Sequence, residues 1–364
     1  MSKEAQEGEY VISIEGLAVS RSFSVGPVTI FNSITAIPFA TEVNWSNEFE
    51  SRLLPSEGHS GAAAYVHANS TGEAISMIRQ ALEILRVFQY GLTRSAHYTH
   101  FGLPGEISSS SIFYLRHDNA GTGGGFTTSG LHLGYELGDV GIESWEQAAP
   151  TLQFAASAIG NADSTAGANR ALNGIRHFSR SILAQEPDLR VLLIIAGLES
   201  MLSKNEQAPG RFSLARYLSY LSCWRVGSCG KSNKEPCPYL VLDPREPKDF
   251  KLIKRLEWLM EKDNTWACTY WKMVNTWHET RSGFAHGNSY ETDPDESRRF
   301  AYWAYHQYFA PVLDWILAHP EDPAGSLDEA LNGLSATVID WREIVRDGDR
   351  EKLIFTLEAQ INGV

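Results

Sequence analysis

Hydrophobic patterning divides the chain into two textures. Up to residue 143, short β-branched and aromatic runs (Tyr10–Ile14, Val28–Phe31, Ala62–Val66 and Ile112–Leu115) alternate with Gly, Pro, Asn and Ser, the pattern of strands bounded by turns. One helix interrupts them: Ser70-Thr71-Gly72-Glu73 has the form of a capping box, and Ala74, Ile75, Ile78, Leu82, Leu85 and Phe88 follow at helical spacing. From residue 144 the strand signal almost disappears. The spacing there predicts helices over 144–159, 165–185, 188–204, 211–222, 248–261, 265–280, 294–318, 327–345 and 349–361. Asp293-Pro294-Asp295-Glu296 gives a strong start signal, a cap followed by proline at the first helical position. Pro311 is expected to kink or split the helix in which it lies.

The pattern gives an α+β chain: a small N-terminal α+β domain over 1–143, an all-α helical bundle over 144–320 and a C-terminal helical extension over 321–364. No repeat of fixed period suggests a solenoid. The N-terminal domain shows no legible chemistry, so its ligand or partner stays open. The stretch between Cys223 and Pro247, rich in Gly, Pro, Lys and Cys, reads as an insertion between helices.

Composition narrows the function classes. Of 364 residues 43% are hydrophobic, enough for packed cores, while a formal net charge of −13 argues against a surface that coats nucleic acid. The charge is uneven: residues 1–150 hold 7 Lys and Arg against 16 Asp and Glu, and residues 203–299 hold 16 basic against 13 acidic. A polyanion site is therefore expected in the second half, as a local cleft. The longest apolar run, Val191–Leu198, falls far short of the ~20 residues of a membrane span. The opening MSKEAQEGEY lacks the apolar stretch of a signal peptide, and four cysteines make no disulfide framework. The expectation is a cytoplasmic protein with reduced thiols and no membrane partner.

The segment Trp277–Asn288, WHETRSGFAHGN, is the most informative. Arg281 and His286 stand five positions apart, which on an unbroken helix separates them by roughly 140° about the axis. Gly283 and Gly287 are placed to break the helix, since glycine weakens one by ~1 kcal/mol, and a broken turn would let both side chains face one cleft. The string resembles the HEPN domains, whose signature is an Arg, four to six residues and a His. An apolar helix centred on Ala196-Gly197-Leu198-Glu199 and a basic helix Arg211–Arg216 extend the likeness over about residues 150–320, most like the Apea-like branch. The position that often carries Tyr before the motif holds His278-Glu279 here, and a Cys-containing insertion separates core helices.

The resemblance implies a metal-independent RNA endonuclease without cofactor, acting on RNA such as tRNA, a homodimer with the Arg/His turns meeting across the interface, and a role as toxin or antiphage defence effector. The side chains suit that chemistry. Arg281 would fork onto the scissile phosphate and stabilise its developing charge, and His286 would act as base on a ribose 2′-hydroxyl or acid on the leaving oxygen. The product would be a 2′,3′-cyclic phosphate. Ser282 and Asn288 are candidates to hydrogen-bond the phosphate, and Glu199 to orient Arg281. The alternative is a non-catalytic HEPN dimerisation or ligand-binding module, because fold does not dictate function.

Other motifs carry less. Cys223, Cys229 and Cys237 have the thiolates of a zinc site without its close-pair spacing, so unligated thiols are the default reading. His97 and His100 lack an acidic or Cys partner nearby. Gly121–Gly125 is read as a hairpin or loop, since no Lys-Ser/Thr follows it as in a phosphate loop. Trp303, Tyr305, Tyr308 and Trp315 recur at helical spacing, as core or dimer interface would.

Overall fold

The computed structural model describes residues 8–32, 61–103, 111–118, 121–128, 135–204, 207–226, 238–262, 269–286, 293–334 and 346. The chain is α+β and divides into two compact units, Met1–Leu183 and Ala184–Val364.

Unit one holds eight described strands: β1 (Gly8–Glu15), β2 (Leu17–Val19), β3 (Phe23–Val25), β4 (Val28–Phe31), β5 (Gly61–Ala68), β6 (Ser111–Asp118), β7 (Gly121–Thr128) and β8 (Tyr135–Leu137). A four-stranded antiparallel sheet runs in the order β1-β5-β4-β3, with Gly8 opposite Ala68 and Phe31 opposite Ala63. The turn Gly26-Pro27 joins β3 to β4. Gly26 takes φ +59°, and proline then fixes the next φ near −65°, as a type II′ hairpin requires. A Cβ at Gly26 would lie 2.3 Å from the Ala156 carbonyl oxygen, so close backbone approach also demands glycine there.

The sheet is covered by α1 (Thr71–Thr93), where Ser70 Oγ accepts from Glu73 N at 3.2 Å as the capping box predicts, while Glu73 reaches back one residue further than the box requires, to Asn69 N at 2.8 Å. From Ala81 to Tyr90 this helix is buried on every side. Its second face packs on α4 (Ala166–Leu183), which follows α2 (Asp139–Ala148) and α3 (Pro150–Ala156). Arg86 donates to Ser179 Oγ at 3.2 Å, Tyr90 meets Phe178 edge-on, and buried Glu83 faces Arg176 and Arg180 at 3.4 and 3.5 Å. The compact boundary thus falls after Leu183, beyond the change of texture at 144. Periodicity identifies a helix but not the surface on which it docks, and α2–α4 dock within the sheet unit.

Of the two expectations for Gly121–Gly125, the hairpin is the one found: they lie inside β7, paired antiparallel with β6, rather than in a loop. Tyr114, Leu115, Arg116 and Asp118 of β6 pair with Gly125, Gly124, Gly123 and Gly121. Glycine lowers strand propensity without forbidding a strand whose ladder partners carry the side chains.

Unit two is helical in its described residues: α5 (Pro187–Met201), α6 (Arg211–Val226), α7 (Pro238–Val241), α8 (Pro247–Lys262), α9 (Thr269–Ala285), α10 (Pro294–Ala304), α11 (Ala310–Ala318) and α12 (Pro323–Asn332). The apolar run makes α5 its centre, with Val191, Ile194, Ile195 and Leu198 at most 1% exposed. Helix α9 packs on α5 and α6, and α10 on α5.

The expected split at Pro311 takes the form of a π turn over Tyr305–Phe309, where the Ala310 N–H reaches back to Tyr305 O. Proline has no N–H for the Gln307 carbonyl, and the Ser222 hydroxyl stands 2.5 Å from that oxygen to donate instead. Tyr308 and Trp315 are buried and Trp303 is exposed. The predicted helices beyond residue 334 lie outside the described residues. No helix among the described residues is long and apolar enough to cross a membrane.

Candidate functional site

The site begins with an acid in an apolar helix. Glu199 sits on α5 one position after Leu198, with only 8% of its side chain exposed. A carboxylate so placed is costly unless cations or donors meet it, and α9 supplies both. His278 and Arg281, three positions apart, share one face of α9. Arg281 Nη2 donates to Glu199 Oε2 at 3.1 Å, and His278 Nε2 lies 3.2 Å from Glu199 Oε1.

Packing fixes this register. Trp277 stacks on Phe300 of α10 with centroids 4.2 Å apart, Val274 is buried, and Glu279 ion-pairs with Arg211 of α6. Because a carboxylate only accepts, the hydrogen of the His278 contact resides on Nε2, leaving Nδ1 as the other ring position. Exposure is graded: 8% for the side chain of Glu199, 13% for His278 and 32% for Arg281. Arg281 is therefore the outward member of the cluster. Arg281 uses one of its five N–H groups on Glu199; its Nε is buried and has no hydrogen-bond partner among the described residues, so the N–H groups open to solvent are those of the Nη atoms.

His286 departs from the expectation that a broken helix brings it beside Arg281. Helix α9 runs unbroken through Gly283, which is buried, and the His286 N–H still donates to Ser282 O at 3.1 Å. Glycine's ~1 kcal/mol penalty is small against the packing of a long amphipathic helix. Arg281 and His286 thus lie roughly 140° apart about α9. His286 is exposed, and its ring has no hydrogen-bond or ion-pair partner among the described residues.

Ser282 is half-buried beside Arg281. Asn288, Gly287, Cys229, Cys237 and Cys268 lie outside the described residues, and Cys223 falls on α6. Among the described residues no group of three His, Cys, Asp or Glu side chains stands close enough to hold a metal. His100 Nδ1 meets the Ala96 carbonyl at 2.9 Å, a local turn contact.

A second polar cluster has a different character. Asp328 of α12 accepts from Tyr217 at 2.6 Å, Arg245 at 2.8 Å and Lys204 at 3.2 Å, while Asp243 binds Arg245 and faces Arg216. Burial pushes the Asp328 carboxyl up, but the hydrogen bonds from Arg245, Tyr217 and Lys204 outweigh it and hold the group below its ordinary range. The Tyr217 hydroxyl is pushed upward by burial and by Asp328. Arg216, expected on a basic helix, is 2% exposed and spends its Nε–H on the Leu240 carbonyl at 2.9 Å. These groups satisfy one another and clamp α6, α12 and the 243–245 turn.

The residue that sequence reasoning passed over is His278, noted only as a departure from a motif. Its spacing of three from Arg281 on a helix was the available signal. No family model matches the chain, and neither the curated proteins nor the solved structures contain one that resembles it significantly.

Proposed function

We propose that unit two is a HEPN-like helical domain that cleaves RNA without a metal, with Arg281 binding the scissile phosphate and His286 transferring a proton. The observation that carries this reading is the pairing of Arg281 with buried Glu199. A guanidinium anchored through one N–H, partly open to solvent and with further N–H groups to spare, is organised in advance for a phosphate oxygen. The 2′-oxygen attacks phosphorus, the bond to the 5′-oxygen breaks, and a 2′,3′-cyclic phosphate and a 5′-hydroxyl remain. The ribose hydroxyl supplies the nucleophile, which selects RNA over DNA.

The separation of Arg281 and His286 about α9 makes a homodimer part of this reading: a two-fold copy would set His286 of one chain beside Arg281 of the other. Toxin or defence action is the biological role we attach to it. The same separation favours a second reading, a non-catalytic module that binds a ligand through Arg281. The two part on incubating the full chain, His286→Ala and Arg281→Ala with total RNA and tRNA in EDTA. Cleavage by the wild type alone, with cyclic phosphate ends, supports the nuclease; intact RNA with all three proteins supports the binding module.

A further inference from the structure

Transesterification moves two protons: a base takes one from the 2′-hydroxyl as the oxygen–phosphorus bond forms, and an acid gives one to the departing 5′-oxygen. Two transfers call for two groups, and His286 accounts for one. His319 is stacked on Trp315 and bound to its carbonyl, and His306 lies against the rings of Tyr302 and Tyr305. His278 is placed differently, on the same face of α9 as Arg281 and against the same carboxylate.

We propose that His278 is the general base of this site, taking the 2′-hydroxyl proton at Nδ1, which leaves the protonation of the 5′-oxygen to His286. The proposal rests on the endoribonuclease reading. Glu199 accepts from Nε2, so the neutral ring carries its hydrogen there and offers a lone pair at Nδ1. When Nδ1 takes the proton, the imidazolium lies against the Glu199 carboxylate, the same division of labour by which an acidic residue orients and supports a catalytic histidine elsewhere. No hydrogen bond to Nδ1 is formed by the described residues, and the 13% exposure of the side chain gives it an opening to solvent. Among the described residues, the charged groups nearest it are Glu199 from α5, Arg281 on its own helix, and the Glu279–Arg211 pair linking α9 to α6. Arg281 beside it would hold the phosphate next to the hydroxyl that His278 deprotonates.

The test separates base from acid and from scaffold. His278→Gln keeps an N–H to give Glu199 but has no basic nitrogen. Two short RNA substrates are compared, one ordinary and one with sulfur replacing the 5′-bridging oxygen at the scissile bond, since a thiolate departs without a proton. His278→Gln is expected to lose ~10²–10⁴-fold on both substrates, and His286→Ala to lose as much on the oxygen substrate while recovering on the sulfur one. His278→Ala gives a second arm, in which added free imidazole is expected to restore part of the rate. Wild-type rates in folded His278→Gln, recovery of that variant on the sulfur substrate, or absence of imidazole rescue would each overturn the assignment. If the wild type cuts neither substrate, the endoribonuclease reading itself fails and this assignment falls with it.

Discussion

Replacing Glu199 with alanine removes the acceptor of two hydrogen bonds, from Arg281 at 3.1 Å and from His278 at 3.2 Å. A hydrogen bond to a charged group contributes about 1.5–3 kcal/mol, and a buried donor left without a partner costs about 1–3 kcal/mol. Arg281 is 32% exposed, so water replaces much of its lost contact and the low end applies. His278 is 13% exposed and recovers less. Against these losses stands relief of the desolvated carboxylate, which typically cancels a good part of a buried pair. The net expectation is a loss of about 2 kcal/mol, or roughly 4–8 °C in Tm for a unit of this size. Differential scanning calorimetry of the full chain reads the shift, and hydrogen exchange locates it: amides of α5 and α9 should lose protection while those of unit one do not. Glu199→Gln, which keeps one acceptor, should fall between. A shift below about 1 °C, or lost protection confined to other helices, would refute the view that Glu199 organises α9.

Asp328→Ala should destabilise unit two by about 2 kcal/mol, the low end for a buried pair because Arg245 and Lys204 are 44% and 49% exposed. The depressed Asp328 pKa gives a sign: its stabilisation is present above the unfolded value, near the ordinary 3.8, and is lost as pH falls below that through the folded value. Acid unfolding of unit two should therefore be steeper below about pH 4 in the wild type than in Asp328→Asn, and equal slopes would contradict the network. Gly26→Ala should cost more than ~2 kcal/mol in urea unfolding, since a left-handed φ costs ~1–2 kcal/mol before the 2.3 Å approach to Ala156 O is relieved. Arg281→Lys keeps the charge and loses the fork, so RNA cleavage should drop by ~10²–10³-fold, as when one oxyanion donor is removed; near-normal cleavage would remove Arg281 from the phosphate.

Local signals reported local structure well. The capping box at Ser70–Glu73, the proline start at Pro294, the apolar periodicity of α1 and the apolar run of α5 all correspond to hydrogen bonds and burial in the fold. What stayed illegible depended on partners distant in the chain. Helix α4 shows a helical pattern, but its place beside α1 depends on Glu83 and Arg86, whose burial no window of sequence displays. Gly283 misled because its intrinsic penalty was visible and the packing that overrides it was not. At the site, Glu199 was expected to orient Arg281 and the two do pair, across 82 positions, whereas His278 became a candidate only once α5 lay against α9.

Ionic clusters in helical cores pose a question of purpose, because replacing a buried pair by apolar side chains of similar volume is often neutral or stabilising. The Asp328 cluster answers through geometry, joining two helices and a turn with nearly every donor engaged. The Glu199 cluster does not: it joins helices that already pack on one another, and it turns Arg281 toward solvent. A triple variant, Glu199→Met with His278→Leu and Arg281→Met, removes all three charges or potential charges while keeping volume. If the cluster exists for binding and chemistry, this protein should melt at or above the wild-type temperature, keep its hydrogen-exchange pattern and lose RNA cleavage entirely. If the cluster holds α9 in place, the triple variant should melt lower than Glu199→Ala, because apolar side chains would then have replaced the contacts that set the register.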